Sequence, residues 1–488
     1  MFYNFDLQDY YSQLTLVVIA TYLLASLCYS ISFANVEALA FPMLNKPNSM
    51  NTLFVLSCLL YLLCPILFES DIRCSLSSFS YEFYSSFFQI VLLLSISAFI
   101  YISKELTNAK KLYGFEYDLI IVFSILGLLL INSCNDFLML YLAIELQSLC
   151  FYVLATFNKN SEYCVEAGVK YFVLGAFASG LLLIGFSLFY VSFGSLSFES
   201  IERVNTLNDS VIALAACFSF SFAILFKLGV FPFHAWLCDV YDGSIITITA
   251  LFSAVPKVIL LSFFVKVTYT VFVGFSELFD QLLLYVGLLS VCFASVAALY
   301  QKRIKRLMAY STISHSGFLV LGISCFTVDS VKACVVYIVI YIVMSLALFS
   351  VLFLSSVNNK QKYLINWTAL YERNYAMALT FALILLSIAG VPPLAGFYSK
   401  LCIILSLLGG DHVITTVIIA IFSSIACFYY IRLIKIFFFT SSSKRSFWFG
   451  FGSRNIELFL GVVTIFIVVF LFYPTCFINL STLVAISL

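Results

Sequence analysis

Fourteen long apolar runs succeed one another along the chain, separated by short polar connections. They fall near residues 14–34, 52–68, 85–103, 117–133, 136–157, 167–193, 210–230, 244–270, 281–299, 308–326, 331–355, 376–408, 413–439 and 456–480. Most have the roughly 17–25 residues an α-helix needs to cross the hydrocarbon core. The runs are continuous rather than alternating, so they read as helices and not as strands of a barrel. The pattern predicts an all-α polytopic membrane protein of about 14 transmembrane helices. Two runs are interrupted. Pro392-Pro393 splits the twelfth, which is too long for one straight helix, and Pro232 follows closely on the seventh. Proline lacks the N–H that would continue the ladder and clashes with the preceding turn. The last run, from Ile456, is apolar apart from Glu457 and is read as a single terminal span.

Composition agrees with this pattern. Of 488 residues, 63% are hydrophobic and 10% charged, with mean hydropathy +1.09. A soluble domain carries about 25% charged residues. No soluble domain of useful size fits between the spans. A net charge of +1 gives no reason to expect nucleic acid as a partner. The fifteen cysteines show no C-x-x-C spacing and no cluster with histidine, so neither a metal nor an iron–sulfur centre is expected in this chain. The first thirteen residues hold two acids and no base, unlike an Arg-rich transit peptide. This predicts bacterial insertion or synthesis inside the organelle that uses the protein.

Charge placement orients the spans. Of 25 Lys and Arg, Lys170, Lys227, Lys257 and Lys400 fall within spans or near their ends. Seventeen of the others lie on one side, and only Arg73, Arg203, Lys266 and Lys332 on the opposite one. By the positive-inside rule the basic connections face the cytoplasm or its organellar equivalent. Both termini then face the other, outer side.

Against this background four ionisable residues stand out at membrane depth: Glu145, Lys227, Lys257 and Lys400. Each would cost about 2.5–3.5 kcal/mol facing lipid, so an ion or proton pathway is the first functional reading. Burial favours the neutral form of a lysine and a nearby carboxylate favours the charged one, and a group between these limits can exchange a proton. Glu145 is the one acid clearly in mid-span. Prolines accompany the lysines: Pro232 follows Lys227, Pro256 precedes Lys257 and Pro393 precedes Lys400. The backbone carbonyls they free are tolerated only against protein or a wet cavity. His234 and His315 could extend the relay, or could be packing residues. Lys170 stands four residues after Glu166, where an i,i+4 pair at the span entrance would account for it. His412 beside Asp411 reads as loop. Gly229-Val230-Phe231-Pro232 is echoed by Gly390-Val391-Pro392-Pro393, each near a membrane-embedded lysine. The lysine precedes the first break and follows the second.

The runs YLAIELQSLCFYVLATF (141–157), EAGVKYFVLGAFASG (166–180), FKLGVFPFHAWLCDVYDGS (226–244), KRLMAYSTISHSGF (305–318) and AGVPPLAGFYSK (389–400) carry a family resemblance. In them the chain resembles the antiporter-like membrane subunits of respiratory complex I, in particular the subunit 2 family, NuoN in bacteria. The resemblance covers roughly residues 110–440. It implies two inverted five-helix repeats, spanning transmembrane helices 4–8 and 9–13, with helices 7 and 12 broken. It implies the division 1–110 (three N-terminal helices), 111–270 (first repeat), 271–440 (second repeat) and 441–488 (basic loop and last helix). It further implies proton translocation along a buried Glu/Lys/His axis, coupled to ubiquinone reduction by NADH in other subunits. Glu145 would tune Lys227, Lys257 would connect, and Lys400 would end the row, with Lys170 and His234 also at family positions. NADH, FMN, iron–sulfur clusters and ubiquinone are expected in other subunits, with no cofactor or metal here. Neighbouring antiporter-like subunits and phospholipids, cardiolipin among them, are the expected partners. The expected location is the mitochondrial inner membrane with both termini toward the intermembrane space, or a bacterial plasma membrane. Residues 242–249, DGSIITIT, depart from the family pattern, since two prolines are replaced by Ile245 and Thr247. A subunit of a multi-part sodium/proton antiporter is the alternative, because it shares this fold and charged row.

Overall fold

A computed structural model of the chain describes residues 20–21, 74–76, 79–110, 115–205, 211–356, 363–368, 370–440 and 454–488. The expected spans 14–34 and 52–68 and the basic loop at 441–453 lie outside the described residues. A three-residue hairpin, β1 (Cys74–Leu76) with β2 (Phe79–Tyr81), precedes the helices. These are α1 (Phe83–Lys110), α2 (Phe115–Ser133), α3 (Phe137–Ala155), α4 (Glu162–Phe193), α5 (Phe198–Asn205), α6 (Val211–Leu228), α7 (Ala235–Gly243) and α8 (Ile246–Thr270). There follow α9 (Ser276–Leu299), α10 (Ile304–Ser324), α11 (Val328–Ser356), α12 (Leu370–Arg373), α13 (Tyr375–Ala389), α14 (Ala395–Gly409), α15 (Val413–Phe438), α16 (Arg454–Val469) and α17 (Thr475–Ile486). Among the described residues ten helical segments are long and apolar enough to cross a membrane, and the chain is a multi-pass membrane protein.

The helices differ sharply in how far neighbours cover them. The apolar window of α8 is 100% buried, that of α10 94% and that of α11 89%, against 33% for α4 and 28% for α15. So α8, α10 and α11 form the centre, and α4 and α15 present most of their surface outward. Helix α8 packs against α1, α2, α6, α7, α10 and α11. A helix buried all round gains nothing from an amphipathic stripe, which is why its sequence is apolar on every face. Its two charged residues, Lys257 and Lys266, therefore point into protein and not lipid.

The seventh and twelfth spans are broken where their prolines predicted. Helix α6 ends at Leu228 and α7 starts at Ala235; α13 ends at Ala389 and α14 starts at Ala395. The two ends have the same geometry. Gly229 (φ 70°) and Gly390 (φ 84°) are left-handed. Gly229 N–H donates to Phe226 O and Val230 N–H to Leu225 O; Gly390 N–H donates to Ser387 O and Val391 N–H to Leu386 O. This is the Schellman arrangement, in which a left-handed glycine lets two N–H groups turn back onto the last carbonyls. The Phe231–Pro232 and Pro392–Pro393 peptide bonds are both cis.

One sequence expectation is corrected. The last run is not one span: α16 stops at Val469 and α17 resumes after Pro474, against α11. Proline disfavours helical backbone in the residue before it, and Pro474 here stands at the N-cap of α17. Lys266 keeps its place near the outer end of its span but is enclosed by protein. It sits inside α8, with its side chain 4% exposed.

The glycines give a test of the second break. A Cβ on Gly390 would stand 2.9 Å from Lys400 Cδ and 3.2 Å from its Nζ, whereas a Cβ on Gly194 (φ 73°), the C-cap of α4, would meet nothing within 4 Å. Gly194→Ala should cost about 1–2 kcal/mol, from the left-handed backbone alone. Gly390→Ala should cost clearly more, because Lys400 must also move. Thermal unfolding of the two solubilised variants, compared with the parent, reads the difference.

Candidate functional site

Each break has a lysine beside it, one before the gap and one after it. Lys227 lies in the last turn of α6, so its own helix brings it to a C-terminus. Lys400 comes from the first turns of α14 and reaches across the gap, donating from Nζ to Ala389 O at 2.7 Å. Ala389 is the last residue of α13. A helix C-terminus carries about half a negative charge and favours a cation. Lys400 thus sets its ammonium on the end of a half-helix, while Lys227 belongs to the last turn of one. At the first break the Trp236 indole Nε1–H donates to Phe226 O at 2.9 Å, occupying a carbonyl there.

Lys257 is held in mid-helix. Pro256 before it has no N–H, so the carbonyl one turn earlier, at Phe252, loses its helical donor. Lys257 Nζ donates to Thr312 O on α10 at 3.3 Å and lies 5.9 Å from the centre of the Tyr341 ring. Lys227 and Lys257 line one cavity, together with Gln147, Ser148, Phe252 and Pro256.

Helix α10 carries the row onward. Thr312, His315 and Phe318 are spaced by three and share one face. His315 Nδ1 is 2.6 Å from the Tyr337 hydroxyl, and its ring lies 5.5 Å from that of Tyr341. Lys400 Nζ lies 5.6 Å from the centre of the Phe318 ring. Lys257 and Lys400 therefore bracket His315, one about a turn before it on α10 and one about a turn after it. Lys257, His315 and Lys400 are all buried.

Glu145 stands on α3 toward the outside of this row. Ser148 Oγ donates to its Oε2 at 3.3 Å, while Oε1 is buried without a hydrogen-bond partner. Among the described residues no salt bridge joins it to Lys227. His234 caps α7 inside the first break, with its ring 5.3 Å from Phe231 and 4.5 Å from Phe293. It does not line the cavity.

Lys170 is elsewhere. Its side chain is 43% exposed and pairs with Glu166 at 2.7 Å and Asp239 at 3.1 Å. Asp239 also meets Arg306 at 3.3 Å, and Arg306 meets Asp242 at 3.0 Å. Asp242 closes the network on Arg303, and that hydrogen-bonded carboxylate holds the guanidinium above its ordinary range. Only the Glu166–Lys170 pair within this chain of charges was readable, from its i,i+4 spacing. Sequence reasoning also missed Tyr337 and Tyr341, which nothing distinguishes among 30 tyrosines. Among the described residues no group of His, Cys, Asp and Glu could hold a metal ion.

Comparison with known proteins gives these features a family. The family model for NADH:quinone oxidoreductase/Mrp antiporter transmembrane proteins matches residues 134–428. The chain is 36% identical over 400 residues to NADH-ubiquinone oxidoreductase chain 2 of Marchantia polymorpha, covering 80% of this chain and 81% of that one. It is 34% identical over 395 residues to NADH-quinone oxidoreductase subunit N of Parvibaculum lavamentivorans, with 80% and 81% covered. Among solved structures, a chain of respiratory complex I from Thermus thermophilus shares the fold with a TM-score of 0.76 at 23% identity, covering 96% of this chain and 99% of that one. A chain of the Mrp complex from Dietzia shares it with a TM-score of 0.81 at 17% identity, covering 97% of both. The chain belongs to the NADH:quinone oxidoreductase/Mrp antiporter transmembrane family, on the side of the chain 2 and subunit N relatives.

Proposed function

We propose that this chain is a proton-translocating membrane-arm subunit of NADH:ubiquinone oxidoreductase. It moves protons along Glu145, Lys227, Lys257, His315 and Lys400 while quinone is reduced in other subunits. NADH, FMN, iron–sulfur clusters and ubiquinone belong to those subunits in this reading. The observation that carries it is the row on α10: two buried lysines held by backbone carbonyls, with a hydrogen-bonded histidine between them. A carbonyl partner stabilises an ammonium without fixing its proton as an ion pair would. Lys227 and Lys257 share a cavity. Two like charges there repel, so protonating one favours release from the other. That coupling passes a proton sideways along the row.

The chain divides at 1–110, 111–270, 271–440 and 441–488, with the two middle parts as inverted repeats. The matched geometry at Gly229 and Gly390 supports the repeat. A neighbouring subunit lies against α3, where Leu142 (54% exposed) and Leu149 (53%) flank Glu145 on one face. Phospholipids, cardiolipin among them, cover the outward faces of α4 and α15. The chain sits in the mitochondrial inner membrane with both termini toward the intermembrane space, or in the same topology in a bacterial plasma membrane. Lys170 and His234 belong to the periphery of the pathway and not to the buried row.

Two substitutions test the row. Lys227→Ala in the assembled complex should lower proton pumping and coupled quinone reduction by about tenfold or more, as expected for loss of a proton-transfer group. Normal pumping in vesicles would remove Lys227 from the relay. Tyr337→Phe keeps the ring and deletes the hydroxyl bound to His315. It should slow NADH-driven turnover severalfold while native gels show unchanged assembly. Unchanged turnover would make the His315–Tyr337 contact a packing feature.

A further inference from the structure

The described residues contain one more deeply buried lysine in a span, Lys266, and the row above does not use it. It lies nine residues after Lys257 on α8, about 13 Å along the axis and on the opposite face. Its surroundings are polar. Lys266 Nζ donates to Asn135 Oδ1 at 3.3 Å and stands 3.8 Å from Glu82 Oε2. One turn back on α8, Ser262 Oγ donates to Asn132 Oδ1 at 3.3 Å, and Asn132 Nδ2 donates to Ser85 O at 2.5 Å. The Tyr84 hydroxyl donates to Ser262 O at 2.9 Å. Three separate pieces of chain thus converge: the last turns of α8, the turn between α2 and α3, and the start of α1.

Two features distinguish this cluster from a simple clamp. Burial is graded across the pair: the Lys266 side chain is 4% exposed and that of Glu82 28%. The lysine is enclosed by protein and the carboxylate is partly exposed at its surface. The pair also lies on the sparsely basic side of the protein, since α8 begins beside the Arg303–Asp242 network and ends at Thr270. Toward the interior, Gln147 lines the Lys227–Lys257 cavity and packs on Gly127 of α2. Asn132 lies five residues further along α2, about 7.5 Å.

We propose that Lys266 and Glu82, positioned by Asn135 and Asn132, form a proton-release site that leads from the buried row to the outer aqueous side. Lys266 takes a proton from the interior along the α2 side and passes it to the partly exposed Glu82 carboxylate. The site rests on the relay reading above, since it needs protons delivered to the interior.

The test separates proton release from structural pairing. Arginine preserves a cation for Asn135 and Glu82 but does not deprotonate in proteins. In the assembled complex, Lys266→Arg should lower protons pumped per NADH oxidised at least about twofold, toward the value for Lys266→Met, while native gels show normal assembly. An Arg variant with normal pumping would overturn the proposal and leave the pair as a clamp. Should the arginine disturb assembly, Glu82→Gln decides: it keeps size and hydrogen bonding, and removes the acceptor charge. Reduced pumping in assembled Glu82→Gln supports release, and unchanged pumping overturns it. Lys227→Ala measured alongside keeps the two readings apart. Unchanged pumping there strikes the relay, while loss in Lys227→Ala with none in Lys266→Arg strikes only the release site.

Discussion

An ammonium group at membrane depth must find a partner for its charge, and for Lys257 and Lys400 that partner is backbone. Lys400 binds the last carbonyl of a half-helix and Lys227 ends another, while Lys257 binds a carbonyl of the neighbouring helix. A carboxylate could neutralise each lysine more strongly, but it would also hold the proton. Helix ends and free carbonyls give an intermediate solution, because the macrodipole and a single hydrogen bond lower the cost of the charge without a counter-ion. The breaks in α6–α7 and α13–α14 exist in this sense for the lysines. Remove them and a continuous helix has no free carbonyls to offer at that depth.

The same requirement explains the packing. Partial charges act strongly only where water is scarce, and the cavity of Lys227 and Lys257 is walled by packed aromatic rings. Tyr171 lies 4.8 Å from Trp236 with planes 8° apart, and Phe151 lies 4.8 Å from Phe252. All four rings line the cavity. Trp236 serves twice, since its ring closes the wall and its N–H caps Phe226 O. The complete burial of α8 and near-complete burial of α10 follow from the need to keep the row dry on every side.

Most of the described spans, both breaks and the deep lysines were legible because each is a local contrast: apolar length, a proline, a charge in an apolar run. What was not legible depends on covering elements far away in sequence. Lys266 resembles an interfacial lysine until α1 and the α2–α3 turn are packed over it. Lys170 looks like part of the row because it follows a span entrance, but α4 turns it outward to Asp239. Tyr337 and Tyr341 acquire meaning only from their distance to His315. The hydrogen bond from Ser148 to Glu145 and the unpartnered second carboxylate oxygen are details that no spacing in the sequence shows. The seam at Pro474 was overlooked because hydropathy stays high across it, although the proline was in view.

The choice between protons and sodium ions also rests on the backbone. Half-helix ends bind sodium in transporters through unwound carbonyl oxygens, and this fold is shared with a chain of the Mrp complex. A metal ion needs several free oxygens at once. Here the carbonyl at the second break, Ala389 O, is already bonded to Lys400, and at the first break Phe226 O accepts both the Gly229 N–H and the Trp236 indole. To use either of these two oxygens a sodium ion would have to displace an ammonium or an indole, and at Ala389 it would sit beside a lysine of like charge. A proton needs no such rearrangement, since it is carried by the lysine already bound there. Lys400 and Trp236, which hold these two oxygens, therefore favour a proton over a sodium ion at them.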